Sequence, residues 1–122
     1  MFEVSVQETF AAAHFLRGYK GKCERLHGHN YRVEITVSGE KLDSIGMVHD
    51  FVEIKRALRK LLERLDHYNL NDIPPFDDAV NTTAENLAFY LWTEMQKALG
   101  DAVNVSQTRV WETDTAVATY RP

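Results

Sequence analysis

Apolar and polar residues alternate from the start of the chain. Phe2, Val4 and Val6 interleave with Glu3, Ser5 and Gln7, the period-two pattern of a strand with one buried face. Carried forward, the same parity puts Phe10, Ala12 and His14 on that face. Residues 15–26 break the pattern with Gly18, Gly21 and the basic side chains Arg17, Lys20, Lys22 and Arg25, and read as a loop. The clearest strand spans residues 27–38. There Tyr31, Val33, Ile35 and Val37 point one way, and Asn30, Arg32, Glu34 and Thr36 the other. Backward extension sets His27 and His29 on the Tyr31 face. Ser38-Gly39 signals a turn and Gly46 a second break.

The period then changes. Asp50 with Glu53 predicts a helix start closed by a capping box, and Phe51, Ile54, Leu58, Leu61 and Leu65 form one apolar face. Pro74-Pro75 and Asp77-Asp78 mark residues 69–81 as a loop. A second helix follows Thr82 or Thr83, either of which can cap it. Leu87, Leu91, Met95 and Leu99 line one side of it, and Gly100 is its stop. Residues 103–111 and 115–120 are β-rich and join through a turn at Thr113-Asp114, which predicts a hairpin. The order strand, strand, helix, helix, strand, strand predicts an α+β fold: a four-stranded antiparallel sheet with two helices on one face. Val48, Val110 and Val117 also need cover, and such a sheet has two open edges, so association between chains is expected.

Composition narrows the function classes. The 122 residues make one domain, 1–122. Fourteen basic against eighteen acidic side chains give a net charge of -4. That argues against a broad nucleic-acid footprint but allows a local basic pocket for a small anion. No apolar run nears the roughly 18 residues of a membrane span, and the first residues lack the basic region of a signal peptide. Cys23 is the single cysteine, which excludes an intrachain disulfide and fits a cytoplasmic setting.

Three histidines are candidates for one site. His27 and His29, two apart on a strand, project in parallel, and Gly28 leaves the opposite face bare. His14 joins them if the first two strands pair as a hairpin. Three imidazoles with a fourth position open make a catalytic zinc arrangement. Spacing alone leaves ordinary packing histidines as the other reading. Cys23 sits four residues before His27 in the basic loop, a setting that activates thiols, although a small buried hydrophobe has the same spelling. Asp66-His67 follows the first helix and offers a base with its orienting carboxylate. Glu112, near a strand end, can accept two donors from the edge of a purine or pterin ring, or be a surface glutamate.

The motifs converge on one resemblance. Cys23-Glu24-Arg25-Leu26-His27-Gly28-His29-Asn30-Tyr31 resembles the signature of the 6-pyruvoyl-tetrahydropterin synthase family. In order along the chain, Gly46–Phe51, Leu65–Asn71, Thr83–Leu87 and Val110–Thr113 are similar to its other blocks, so the resemblance covers nearly the whole chain. It implies the tunnelling fold, in which three subunits form a barrel and two trimers stack into a homo-hexamer. It implies zinc on His14, His27 and His29, with Cys23 as proton-abstracting thiolate and Asp66 and His67 as its partners. Glu112 would anchor the pterin ring, helped by Thr83 and Glu85 at a subunit boundary, so a monomer would be inactive. Thr82 and Asp114 stand where the family often has proline, and His49 fills a variable position.

Within the family, the C-x3-HGH spacing is similar to that of the 6-carboxy-5,6,7,8-tetrahydropterin synthases of queuosine biosynthesis. The animal-type enzymes have a longer gap. A folate-pathway variant carries glutamate at the position of Cys23, whereas here the glutamate is Glu24. The implied reaction is lyase chemistry on 7,8-dihydroneopterin triphosphate. Triphosphate leaves, a retro-aldol cleavage releases acetaldehyde, and no redox cofactor is needed. Lys20, Lys22 and Arg25 are candidates for the triphosphate on charge alone. Two other readings stand beside this one. A pyruvoyl-forming synthase would eliminate triphosphate only. A non-catalytic pterin-binding protein would have no use for Cys23, Asp66 and His67 together.

Overall fold

The long alternating stretches become two paired strands in the computed structural model, which describes residues 1–122. β1 (Phe2–His14) and β2 (His27–Gly39) run antiparallel, with Phe10 opposite Tyr31, Ala12 opposite His29 and His14 opposite His27. β3 (Asn104–Thr113) pairs with the far side of β2, and β4 (Ala116–Tyr120) closes the order β1-β2-β3-β4. The last turn falls at residues 114–115, one position later than expected, so Glu112 and Thr113 belong to β3.

One face of the sheet is the core face. Val6, Phe10, Ala12, Tyr31, Val33, Ile35, Val37 and Val110 are buried there beneath two helices. α1 (Phe51–Leu62) contributes Ile54, Leu58, Leu61 and Leu62, and Leu65 continues that face just beyond the helix end. Phe51 departs from expectation, being 52% exposed. Periodicity shows which residues share a face but not where the covering layer stops, and here cover begins at Ile54. The capping box forms only in part. Asp50 accepts from the Val52 N–H at 2.9 Å, but Glu53 lies 2.9 Å from His49 Nε2 instead of turning back to Asp50.

α2 (Ala84–Leu99) buries Leu87, Leu91 and Met95. Its cap is Thr83, whose Oγ1 accepts from the Asn86 N–H at 3.1 Å. Thr82 is not a cap: it is fully buried, and its hydroxyl donates to the Phe15 carbonyl at 3.0 Å. Gly100 ends the helix at φ 87, a left-handed conformation that glycine adopts without a Cβ clash. The other sheet face is polar and cross-linked. Ser5 meets Thr36 at 2.8 Å, Gln7 donates to Glu34 at 2.8 Å, and the Arg32 and Arg109 guanidiniums lie 4.2 and 4.7 Å from the Trp111 ring centroid. Cation–π stacking and cross-strand pairs give that face order without a second layer. Val110 joins the core, whereas Val117 stays 42% exposed. No helix is long and apolar enough to cross a membrane.

Candidate metal centre and active site

The hairpin of β1 and β2 brings the three histidines together at one end of the core face. Opposed positions put His14 and His27 side by side, and the two-residue step along β2 adds His29. The ring centroids are 4.6 Å apart for His14 and His27, 4.8 Å for His27 and His29, and 5.1 Å for His14 and His29. One nitrogen from each ring falls within 4.8 Å of the others.

Hydrogen bonds fix which nitrogens face inward. His14 Nδ1 lies 2.8 Å from the Thr82 carbonyl, and His27 Nδ1 lies 2.7 Å from the Arg25 carbonyl. A carbonyl only accepts, so both Nδ1 atoms carry the proton, and in neutral rings both Nε2 atoms are bare lone pairs. Those Nε2 atoms are 3.0 Å apart. Two lone pairs facing each other at that distance repel unless a cation sits between them. His29 Nε2 adds a third nitrogen, buried and without a hydrogen bond. Tetrahedral zinc with Zn–N bonds of about 2.0–2.1 Å sets its ligands about 3.3 Å apart. The donor set therefore fits a metal ion, and the backbone carbonyls supply the outer contacts that hold ligand imidazoles in one tautomer.

Burial works in the same direction. Desolvation lowers the pKa of both His14 and His29 from 6.5; the Thr82 carbonyl at His14 and Glu112 at both oppose it, and neighbouring imidazoles add to it. Neutral rings are the form a metal needs. Below 6.5 the unfolded chain thus binds more protons than the folded one, so stability rises with pH across the window beneath that value. Chelator-treated protein is expected to lose Tm as the pH falls from about 7 to about 5. A flat Tm over that range, followed by calorimetry, would contradict buried neutral histidines.

Glu112 reaches the same place from β3, with Oε1 3.4 Å from His29 Nε2. Asp66 and His67 form their own pair: His67 Nδ1 is 3.0 Å from Asp66 Oδ1, which also accepts from the Ala11 N–H at 2.9 Å. The Ala11 N–H is the main reason that the Asp66 carboxyl lies below its ordinary pKa, with His67 adding to it. His67 takes the left-handed φ of 65, with its side chain 81% exposed. Its segment runs along the free edge of β1, where the His67 N–H donates to the Ala11 carbonyl at 2.6 Å and the Ala13 N–H to the Tyr68 carbonyl at 3.0 Å.

Cys23 occupies a short 3-10 turn, Lys22–Glu24, and is half-buried. No hydrogen bond joins it to His67 within the chain. Lys20, Lys22 and Arg25 around it are exposed, and Glu85 is exposed in the first turn of α2. The Thr83 hydroxyl oxygen is engaged by its cap. A Cβ added at Gly28 would meet only the Ala12 carbonyl at 3.6 Å, so nothing within the chain uses the bare face there. A groove of about 1170 Å³ lies between α1 and α2, lined by His49, Arg56, Lys60, Tyr68 and Glu94 among others, and holds none of the three histidines.

Sequence reasoning missed the residues that hold the site in place. Asn71 donates to the Phe15 carbonyl and accepts from its N–H, Asn81 does the same for Arg17, and Arg17 Nη2 donates to the carbonyls of Phe76 and Val80 at 2.9 and 2.8 Å. These bonds tie the exit of β1 to the loop before α2. Their one signal was three polar residues in a loop, Asn71, Asn81 and Thr82, of which Asn71 and Thr82 are buried.

A family model described as 6-pyruvoyl tetrahydropterin synthase matches residues 3–122. The chain belongs to this family. Within it, the chain is 40% identical to the 6-pyruvoyl tetrahydrobiopterin synthase of Poecilia reticulata, over 93% of this chain and 86% of that one. It is 30% identical to the 6-carboxy-5,6,7,8-tetrahydropterin synthase of Haemophilus influenzae, over 99% of both. The solved 6-pyruvoyl tetrahydropterin synthase of Caenorhabditis elegans superposes with a TM-score of 0.89 at 28% identity, covering 99% of this chain and 95% of that one. The sheet with two helices is thus the tunnelling fold of the family.

Proposed function

We propose that this family member is a zinc-dependent 6-carboxy-5,6,7,8-tetrahydropterin synthase. It would convert 7,8-dihydroneopterin triphosphate and water to 6-carboxytetrahydropterin, acetaldehyde and triphosphate, for queuosine biosynthesis in the cytoplasm. The observation that carries this choice is the three-residue spacing between Cys23 and His27. Zinc on His14, His27 and His29 supplies Lewis-acid polarisation of the side-chain oxygens. Glu112, beside the ligand set, accepts hydrogen bonds from the ring N3–H and 2-amino group. Cys23 takes a proton next to the ring, and His67, held by Asp66, relays it. Lys20, Lys22 and Arg25 meet the triphosphate, and Thr83 and Glu85 flank the ring. Since no bond links Cys23 to His67 within one chain, and His67 projects from the β1 edge, the two groups meet between neighbouring chains of a hexamer built from two trimers.

The higher identity to the Poecilia reticulata protein favours a second reading, a pyruvoyl-forming synthase that keeps the side-chain carbons. Product analysis separates them. Incubation with 7,8-dihydroneopterin triphosphate is expected to release acetaldehyde and 6-carboxytetrahydropterin in equal amounts. Triphosphate release without acetaldehyde would overturn the carboxy assignment and support the pyruvoyl one. No reaction at all by the metal-loaded protein would leave only pterin binding.

A further inference from the structure

Tyr31 carries the one feature of the site that the proposed reaction leaves unused. Its side chain is fully buried, and its hydroxyl has no hydrogen-bond partner. A buried, unpaired hydroxyl costs stability that phenylalanine in the same hole would avoid. The ring itself is well placed. It stacks on Phe10 at 4.8 Å and 11°, and it meets the rings of His29 and His14 edge-on at 5.4 and 6.0 Å. Across the sheet, Arg32 pairs with Trp111 in antiparallel register, so Tyr31 and Glu112 are the next residues of their strands at the site. Glu112 thus brings a carboxylate to the end of the sheet where the phenol is buried. The hydroxyl is therefore a donor in want of an acceptor, beside a carboxylate.

Glu112 now lies against His29, 3.4 Å from Nε2. A metal on His29 Nε2 takes the lone pair of that nitrogen and leaves it no proton to share with the carboxylate. We propose that Tyr31 is a positioning residue, whose hydroxyl donates to the Glu112 carboxylate once a metal occupies the imidazole nitrogens and so aims Glu112 at the pterin ring. The aiming half of this rests on Glu112 being the ring anchor. The hydrogen bond itself does not, and both halves are read separately.

The near-ultraviolet absorbance of the full-length protein is recorded after chelation and again after adding zinc chloride. Subtracting the Tyr31→Phe spectra isolates the Tyr31 band. That band is expected to shift on zinc addition in the wild type and to stay put in Glu112→Ala, with one zinc retained by each protein. Neopterin binding to the zinc form, measured by calorimetry, is expected to weaken about tenfold in Tyr31→Phe, the usual loss for a hydrogen bond to a charged group. The melting temperature should not fall, because the ring packing is kept. No zinc-dependent shift, or a shift that persists in Glu112→Ala, overturns the hydrogen bond. Neopterin affinity unchanged in Tyr31→Phe but weakened in Glu112→Ala overturns the aiming role while the anchor stands. Affinity unchanged in both, with the shift present, upholds the hydrogen bond and removes Glu112 as anchor.

Discussion

Cys23→Ala is expected to stay folded and metal-loaded while losing most of its turnover. The thiol lies outside the cluster of three nitrogens, so the ligand set is complete without it. Its turn is held through the backbone: the Leu16 N–H donates to the Cys23 carbonyl at 2.7 Å, and the Arg25 N–H to that of Lys22 at 3.1 Å. Alanine keeps both bonds. In the proposed mechanism what disappears is the proton acceptor next to the substrate, and positioned acid–base groups typically contribute about 10²–10⁴-fold in rate. Zinc content, Tm and acetaldehyde release would be followed side by side in wild type and variant. A fourth ligand would show itself as lost zinc, and a packing residue as a lowered Tm with turnover spared. An alanine variant that releases acetaldehyde at the wild-type rate ends the thiol mechanism.

The double substitution His27→Ala and His29→Ala has the other large expected effect. Wild-type protein purified without added metal should hold about one zinc per chain. The doubly substituted protein should hold almost none, because His14 alone cannot close a site. Even loss of an outer-sphere partner commonly costs 10–100-fold in metal affinity, and here two of the three candidate ligands go. The sheet should survive, since both side chains sit at the end of β2 and lie outside the main apolar core. Elemental analysis decides it. Full metal content in the doubly substituted protein would dissolve the proposed centre.

Much of this architecture is legible in the chain because strand parity is strict. A shift by one residue would have sent every side chain of β1 and β2 to the wrong face, and the same parity that buries Phe10 and Tyr31 also gathers His14, His27 and His29. The helices are less fully legible. The Leu and Ile positions of α1 name its buried face, but Phe51 shares that period and is exposed, because the length of the covering layer is a tertiary property. The capping box failed for a related reason: Glu53 had a second partner, His49, one turn back. Thr82 and Thr83 are interchangeable as caps on paper. What separates them is contact with residues far along the chain, Phe15 and His14, which no local pattern encodes. Cys23 and Asp66-His67 are visible as motifs, but no hydrogen bond joins them within the chain, and the triad proposed above needs a second subunit to complete it.

The bond from His14 Nδ1 to the Thr82 carbonyl spans 68 positions of sequence. One of the three candidate ligands is therefore oriented only after the first strand has met the loop that leads into the second helix. Contacts of such long separation are slow to form, because chain entropy must be given up before they reward it. Metal capture by the proposed centre is thus expected at the end of folding. The ion should bind the finished chain far better than the nascent one, and by mass action it should hold the first strand and the second helix in register as a single cooperative unit.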